Sequence, residues 1–184
     1  MRELKKRFGF SKINSHVKFL KSGHGFTLIE ILITLALIGV MATGIIVVLN
    51  PLVQLQKAQD AKRKSDLSQI QKAVEQYYQD NGSYPPKFAA TDYRIKALDG
   101  SVVNWGDPWL PYMANLPADP NSSKNYVYNS TSNGQTYYIY ASLDRGANDP
   151  QVCNNGAACS SLPAGASCGT GTCSYGISSP NVSP

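Results

Sequence analysis

Gly25, Phe26 and Glu30 are the residues of this chain with the most to offer chemically. Hydrolysis of the Gly25–Phe26 bond leaves a positively charged amine on Phe26, and Glu30, one helical turn farther on, is the only charge between Phe26 and Leu49. An ionised carboxylate inside hydrocarbon is costly, so an acid in such a run faces a cation rather than lipid. The Phe26 amine can supply that cation on the same helix, and the geometry equally allows it to come from a neighbouring chain. The competing reading places Glu30 close enough to the cytoplasmic face to reach headgroups.

Four cysteines, Cys153, Cys159, Cys168 and Cys173, form the second chemical group and lie within the last 32 residues. An even, clustered set in an exported domain reads as two disulfides, with three pairings open. The surrounding segment is rich in Gly, Ala, Ser and Asn and short of large apolar residues, so cross-links would substitute there for a core. Zinc competes, but no Cys-x-x-Cys pair or nearby histidine supports it. His16 and His24, the two histidines, both precede Gly25, and the chain has no phosphate loop or nucleophile elbow. The sequence therefore reads as that of a protein that is not an enzyme.

The elements that must position these residues begin with an apolar run. Phe26 to Leu49 is 24 residues long, which as a helix reaches roughly 36 Å, enough to cross a bilayer core. Residues 1–25 carry seven Lys and Arg against Glu3, and flanks rich in Lys and Arg stay on the cytoplasmic side. A secretory signal would end in small residues and be discarded after its apolar stretch; nothing of that form follows Leu49, and the cut expected here lies ahead of the run, at Gly25. The leader's net charge of +6 leaves −1 for the rest of a chain whose total is +5. The basic balance thus belongs to membrane topology and lends no support to nucleic-acid binding.

Beyond the run, Leu52, Leu55, Ala58 and Ala61, then Leu67, Ile70, Val74, Tyr77 and Tyr78, recur at spacings of three and four, an amphipathic helix. Asp60 with Lys64 reads as an i,i+4 pair on its wet side, and Lys62, Arg63 and Lys64 as a solvated face. Asn81-Gly82 stops the helix and Pro85-Pro86 bars its resumption. The pattern predicts one helix of about 50 residues, roughly 80 Å long, kinked at Pro51. The head that follows, of close to 100 residues, has room for one small domain. It holds a short helix within Ala89 to Leu98, proline-punctuated loops around Trp105 to Pro111 and Leu116 to Pro120, and Tyr-rich strands at Asn125 to Asn129 and Gln135 to Leu143 joined by a hairpin at Ser132-Asn133-Gly134. The tyrosines and both tryptophans read as core and sheet faces rather than a ligand surface.

Gly25-Phe26-Thr27-Leu28-Ile29-Glu30, followed by Ile31-Leu32-Ile33-Thr34-Leu35-Ala36-Leu37-Ile38-Gly39, resembles the class III leader and first helix of type IV pilins and type II secretion pseudopilins. The leader, at 25 residues, is long for the pilins that begin with phenylalanine, and His24 stands where a basic residue often precedes the glycine. The resemblance implies that a membrane prepilin peptidase cleaves after Gly25 and methylates the amine of Phe26, and that Glu30 serves subunit assembly. It also implies an inner-membrane assembly platform with its ATPase as partners. The order Gly82-Ser83-Tyr84-Pro85, Leu116-Pro117-Ala118-Asp119-Pro120, then Tyr138-Ile139-Tyr140-Ala141 is similar to the head layout of the major pseudopilins. In that layout Leu143 to Asp149 lies where the secretion type carries a calcium-binding loop. Asp144, Asn148 and Asp149 are the calcium candidates, with Arg145 placing a positive charge among them; the alternative is an Asx-rich turn, and no other cofactor is indicated.

The expected fold is α+β: a long N-terminal helix, membrane-spanning in its first half and amphipathic in its second, packed on a small antiparallel sheet with a disulfide-stapled C-terminal loop. The expected divisions are a removed cytoplasmic leader (1–25), a membrane and filament-core helix (26–50), an amphipathic helix (51–82) and an exported head (83–184). The expected function is that of a prepilin-like subunit, single-pass with its amino end in the cytoplasm, that polymerises with copies of itself into a periplasmic or extracellular filament. A secretion pseudopilin is the alternative within that class, and a membrane-anchored binding domain that never polymerises is the alternative outside it.

Overall fold

The computed structural model describes residues 25–184, leaving out the side chains of 45–49. The leader readings, its basic residues and His24 among them, lie outside the described residues. The chain divides into two compact units between Ile45 and Ile46. Each is taken by itself below.

The first unit carries all but the last four residues of helix α1, Leu28–Leu49. Aliphatic residues fill it without a polar stripe, and every described side chain from Gly25 to Gly44 is exposed. Its two described threonines turn inward on the backbone: Thr34 Oγ1 donates to the Ile31 carbonyl at 2.9 Å and Thr43 Oγ1 to that of Val40 at 2.7 Å. Hydroxyls satisfied in this way ask nothing of a surrounding solvent. Among the described residues no helix is long and apolar enough to cross a membrane. The described side chains of α1 stop at Gly44, whereas the apolar run of the sequence goes on to Leu49.

After the last residues of α1, the second unit continues with helix α2, Pro51–Asn81. The single long helix expected from the pattern is two helices, because the chain leaves helical geometry at Asn50 (φ 40°, ψ 80°). The physical reason is Pro51. It crowds the residue before it out of the α region and lacks the N–H that a continuous helix would require, while fitting the first position of a new helix well. The Asn50 carbonyl accepts from the Val53 and Gln54 amides and so starts α2. At the far end Gly82 sits at φ 71° and donates its N–H to the Tyr78 carbonyl, a left-handed cap that glycine adopts without steric cost.

Two antiparallel sheets follow. Strands β1 (Ile95–Lys96) and β2 (Val102–Val103) form a short ribbon around Asp99-Gly100, in place of the helix expected there. β3 (Val127–Ser130), β4 (Tyr137–Ala141) and β5 (Tyr175–Ser178) form a sheet in the order β3-β4-β5, with Val127 opposite Tyr140 and Ile139 opposite Ile177. The hairpin at Asn133-Gly134 joins β3 to β4 as expected. β5 is a strand that the sequence did not locate; it lies just beyond Cys173, the last of the four cysteines.

Side chains on a strand alternate between its faces, and both faces of this sheet are covered. Tyr128, Ile139 and Ala141 join a core with Leu67, Ile70, Val74 and Tyr77 of α2, together with Trp109 and Leu116. Val127 and Tyr140 join a second, smaller core with Cys159, Cys168 and Cys173. The disulfides are Cys153–Cys159 and Cys168–Cys173. Beyond closing loops, three of their four cysteines are buried apolar surface for the second face of the sheet. The tyrosines that fill the main core keep their hydroxyls bonded: Tyr126 donates to Asp66 at 2.8 Å, Tyr137 to Glu75 at 2.9 Å and Tyr128 to the Pro85 carbonyl at 2.6 Å. Burial, and then the neighbouring carboxylate of Glu75, push the Tyr84 hydroxyl up to about 12, so these phenols act as neutral donors at physiological pH.

Candidate functional site

The start of α1 is built by Thr27. Its carbonyl accepts from the amides of Glu30 and Ile31, and its Oγ1 lies 3.3 Å from the Glu30 nitrogen as acceptor of the same N–H. Thr27-Leu28-Ile29-Glu30 is therefore an N-cap with an acid three residues on, the spacing of a capping box. Gly25 and Phe26 precede it without helical structure, and Phe26 is 76 % exposed. Glu30 sits in the first turn, where a negative charge also meets the positive end of the helix dipole. Around it Leu28, Ile29, Leu32 and Ile33 are exposed as well. One carboxylate thus stands among apolar side chains that nothing else in the described chain covers. Thr27 has a structural part that the sequence reading passed over, although Thr-x-x-Glu before an apolar run is its usual sign.

The second constellation lies inside the head, where the sequence predicted a wet face. Leu67, Ile70, Val74 and Tyr77 mark the side of α2 that faces the sheet, and the same rhythm of three and four carried backwards reaches Arg63 and Asp60. Leu52 and Leu55, expected on that stripe, are 71 % and 56 % exposed, so the packed face changes from apolar to ionic rather than continuing greasy. Arg63 is completely buried. Its Nε and Nη2 donate to the two oxygens of Asp119 at 2.8 and 3.0 Å, and its Nη1 donates to Asp60 at 2.9 Å and to Asp144 at 2.7 Å. Burial alone would lower the guanidinium pKa, but the bonds to Asp119 and Asp144 outweigh it and the pKa is raised. Asp60 uses both oxygens to accept the backbone amides of Asp144 and Arg145 at 2.8 and 3.0 Å.

Two lysines complete the network. Lys124 Nζ bonds the other oxygen of Asp144, and Lys64 Nζ bonds both oxygens of Asp149 at 2.7 and 2.8 Å. Two expectations are overturned here. Asp60 pairs with Arg63 and not with Lys64, and of the three basic residues only Lys62 lies on a solvated face, 3.5 Å from Asp66. The reason is helical phase, which turns position 63 inward and 62 outward. The calcium candidates are also placed: Asp144 and Asp149 are ion-paired to basic side chains, and Asn148 ends an exposed 3-10 turn, Gly146–Asn148. Among the described residues no group of three or more His, Cys, Asp or Glu side chains is arranged to hold a metal ion.

The network gives the head a defined acid limb. Burial would raise the pKa of Asp144, but bonds from Lys124 and Arg63 outweigh it and hold the carboxyl below its ordinary range. At Asp149 burial is likewise outweighed by Lys64 and the Gln151 amide. Both folded-state pKa values lie below the unfolded one, so their stabilisation is complete above the unfolded carboxylate value of about 3.9 and is lost as pH falls through the folded values. The urea midpoint of the head is expected to hold level from about pH 7 to 5 and to drop below about pH 4. Urea titrations at a series of pH values measure it, and a midpoint that rises on acidification contradicts the assignment.

Comparison with known proteins agrees with both parts of the chain. The prokaryotic N-terminal methylation motif matches residues 20–46, which puts the amino-terminal segment among precursors of the prepilin class. The profile of type II secretion system protein G matches residues 50–155, more than half of the sequence, and the chain belongs to that pseudopilin family. The type II secretion system core protein G of Escherichia coli (strain K12) is 31% identical over 122 residues, 65% of this chain and 81% of that protein. Its counterpart from Klebsiella pneumoniae is 31% identical over 111 residues, 60% of this chain and 78% of that protein. That from Vibrio cholerae is 29% identical over 128 residues, 67% and 82% of the two chains. No solved structure gives a significant match. The family is one of structural subunits.

Proposed function

We propose that this chain is a filament subunit, inserted in the inner membrane with its leader in the cytoplasm, cut after Gly25, methylated on Phe26 and polymerised through α1 with its heads outward. The observation that carries the reading is the state of α1: an all-round apolar helix whose described side chains are exposed, with Glu30 as its one charge. A helix apolar on every side needs an apolar surrounding on every side. Lipid supplies it before assembly and copies of the same helix supply it afterwards. Prepilin peptidase is the processing partner, and an inner-membrane platform with its ATPase is the assembly partner. As in the named relatives, the filament serves type II secretion. A surface pilus is the second reading, favoured by the tail beyond residue 155, which lies outside the family match and encloses the second core with its own disulfide.

The test is intact and amino-terminal mass spectrometry of the protein from sheared surface filaments and, separately, from membranes. A chain beginning at methylated Phe26 in both cell fractions supports a pilus, and the same chain in membranes alone supports the secretion filament. Gly25→Leu is expected to leave an uncut precursor in more than about nine-tenths of the protein, since the family's peptidase acts on the glycine bond; efficient processing of this variant moves the cut elsewhere.

A further inference from the structure

The Asp144–Asp149 loop is fastened to α2 by charge. Asp144 is held by Arg63 and Lys124, Asp149 by Lys64, and the loop's amides at 144 and 145 by Asp60. A calcium ion would need six to eight oxygen ligands. Here the carboxylate oxygens that would form such a set already accept from ammonium or guanidinium groups. Four carboxylates, those of Asp60, Asp119, Asp144 and Asp149, face three basic side chains, so little negative charge is left to attract a divalent ion. The candidate donors therefore do not fit calcium.

We propose that Arg63, Lys64 and Lys124 together do for this loop what a divalent cation would do: they gather its acids against α2 and the segment before β3, so that the head folds without calcium. Arg63 suits the centre of the cluster because its planar fork can bond three carboxylates at once. The lysines, single point charges on long stems, close the outer side of Asp144 and Asp149. Two observations set this apart from an ordinary surface ion pair. Arg63, Asp60 and Asp149 are buried, and two of the three partners of Arg63 stand 56 and 81 residues away in sequence. The network thus links three separate stretches of the head, as a structural ion does.

The inference concerns the head alone and does not depend on whether the chain polymerises. Its test is thermal unfolding of the full chain, dispersed in detergent, followed by circular dichroism in EGTA and in millimolar calcium chloride. The expected midpoints agree within about 1 °C; an ion bound to the native loop at ~100 times its dissociation constant would raise the midpoint by roughly 5–10 °C, and such a rise overturns the proposal. Lys124→Met in EGTA is expected to lower the midpoint by about 3–6 °C, whereas Lys124→Arg keeps it within about 2 °C of the original. A Lys124→Met protein as stable as the parent, or a Lys124→Arg protein as weak as Lys124→Met, shows that the charge at 124 does not hold the loop.

Discussion

Replacing Arg63 by methionine is expected to unfold the head or leave it on the edge of unfolding. Methionine fills much of the same space, so the loss is one of charge: Asp60, Asp119 and Asp144 remain with their principal buried cation gone. Breaking a buried ion pair from one side costs about 3–5 kcal/mol, a large part of the roughly 5–15 kcal/mol that small domains possess. Urea unfolding of the purified protein at neutral pH measures it. Arg63→Lys should recover only a minor part, because an ammonium cannot make the paired bonds to Asp119 and still reach Asp60 and Asp144. A methionine variant within about 1 kcal/mol of the parent means that the carboxylates find water or protons instead, and that the network is not what holds α2 to the head.

The second large effect is functional. Glu30→Ala is expected to reduce filament yield about a hundredfold or more while leaving membrane insertion unchanged. Once Phe26 is the first residue, its amine and the Glu30 carboxylate of a neighbouring subunit can neutralise one another inside the stack. Leaving one of the two buried alone costs a few kcal/mol, and each 1.4 kcal/mol is tenfold in an equilibrium. Alanine, by contrast, makes α1 more apolar, so insertion is not harmed. Quantifying sheared filaments against membrane-inserted subunits in the same cells separates the two. Normal filament yield from this variant would end the pairing mechanism and leave apolar burial as the whole of the driving force.

How much of this could be read from the residues depended on the range of the interaction. α1 was plain because 24 residues with one charge admit few other readings, and the β3–β4 hairpin was plain because Asn133-Gly134 lies between Tyr-rich strands. The ribbon at β1 and β2 was misread as helix although Asp99-Gly100 between Ile95 and Val103 is a hairpin signal of the same kind. The strands are only two residues long and their periodicity is correspondingly faint. Arg63 was concealed by its neighbours: between Lys62 and Lys64 it looks like one more solvated charge, and the acids that claim it arrive at 119 and 144. Only the helical phase set by Leu67, Ile70, Val74 and Tyr77 pointed it inward, and that phase was traced through apolar residues alone. β5, just beyond Cys173, is four residues long and pairs with β4, far back in the sequence, so little local pattern marks it. For Arg63 and β5 the missing information was a partner distant in sequence; for the ribbon it was strands too short to show a period.

The order of strands has a bearing on how such a head crosses a membrane. β5 is the last element in sequence, yet it pairs with residues 138–141 of β4, and Gln71 of α2 donates to the Ser178 carbonyl on it. A head that emerges from its helix side, with the amino end of the chain staying behind, therefore offers the β3–β4 hairpin without its third strand until residues 175–178 have emerged. The acid cluster around Arg63 can assemble once Asp144 is out, but the sheet stays open on one edge and bare on one face until the Cys168–Cys173 segment follows. In an exported subunit of the kind proposed, the sheet therefore cannot close before β5, near its carboxy-terminal end, has emerged.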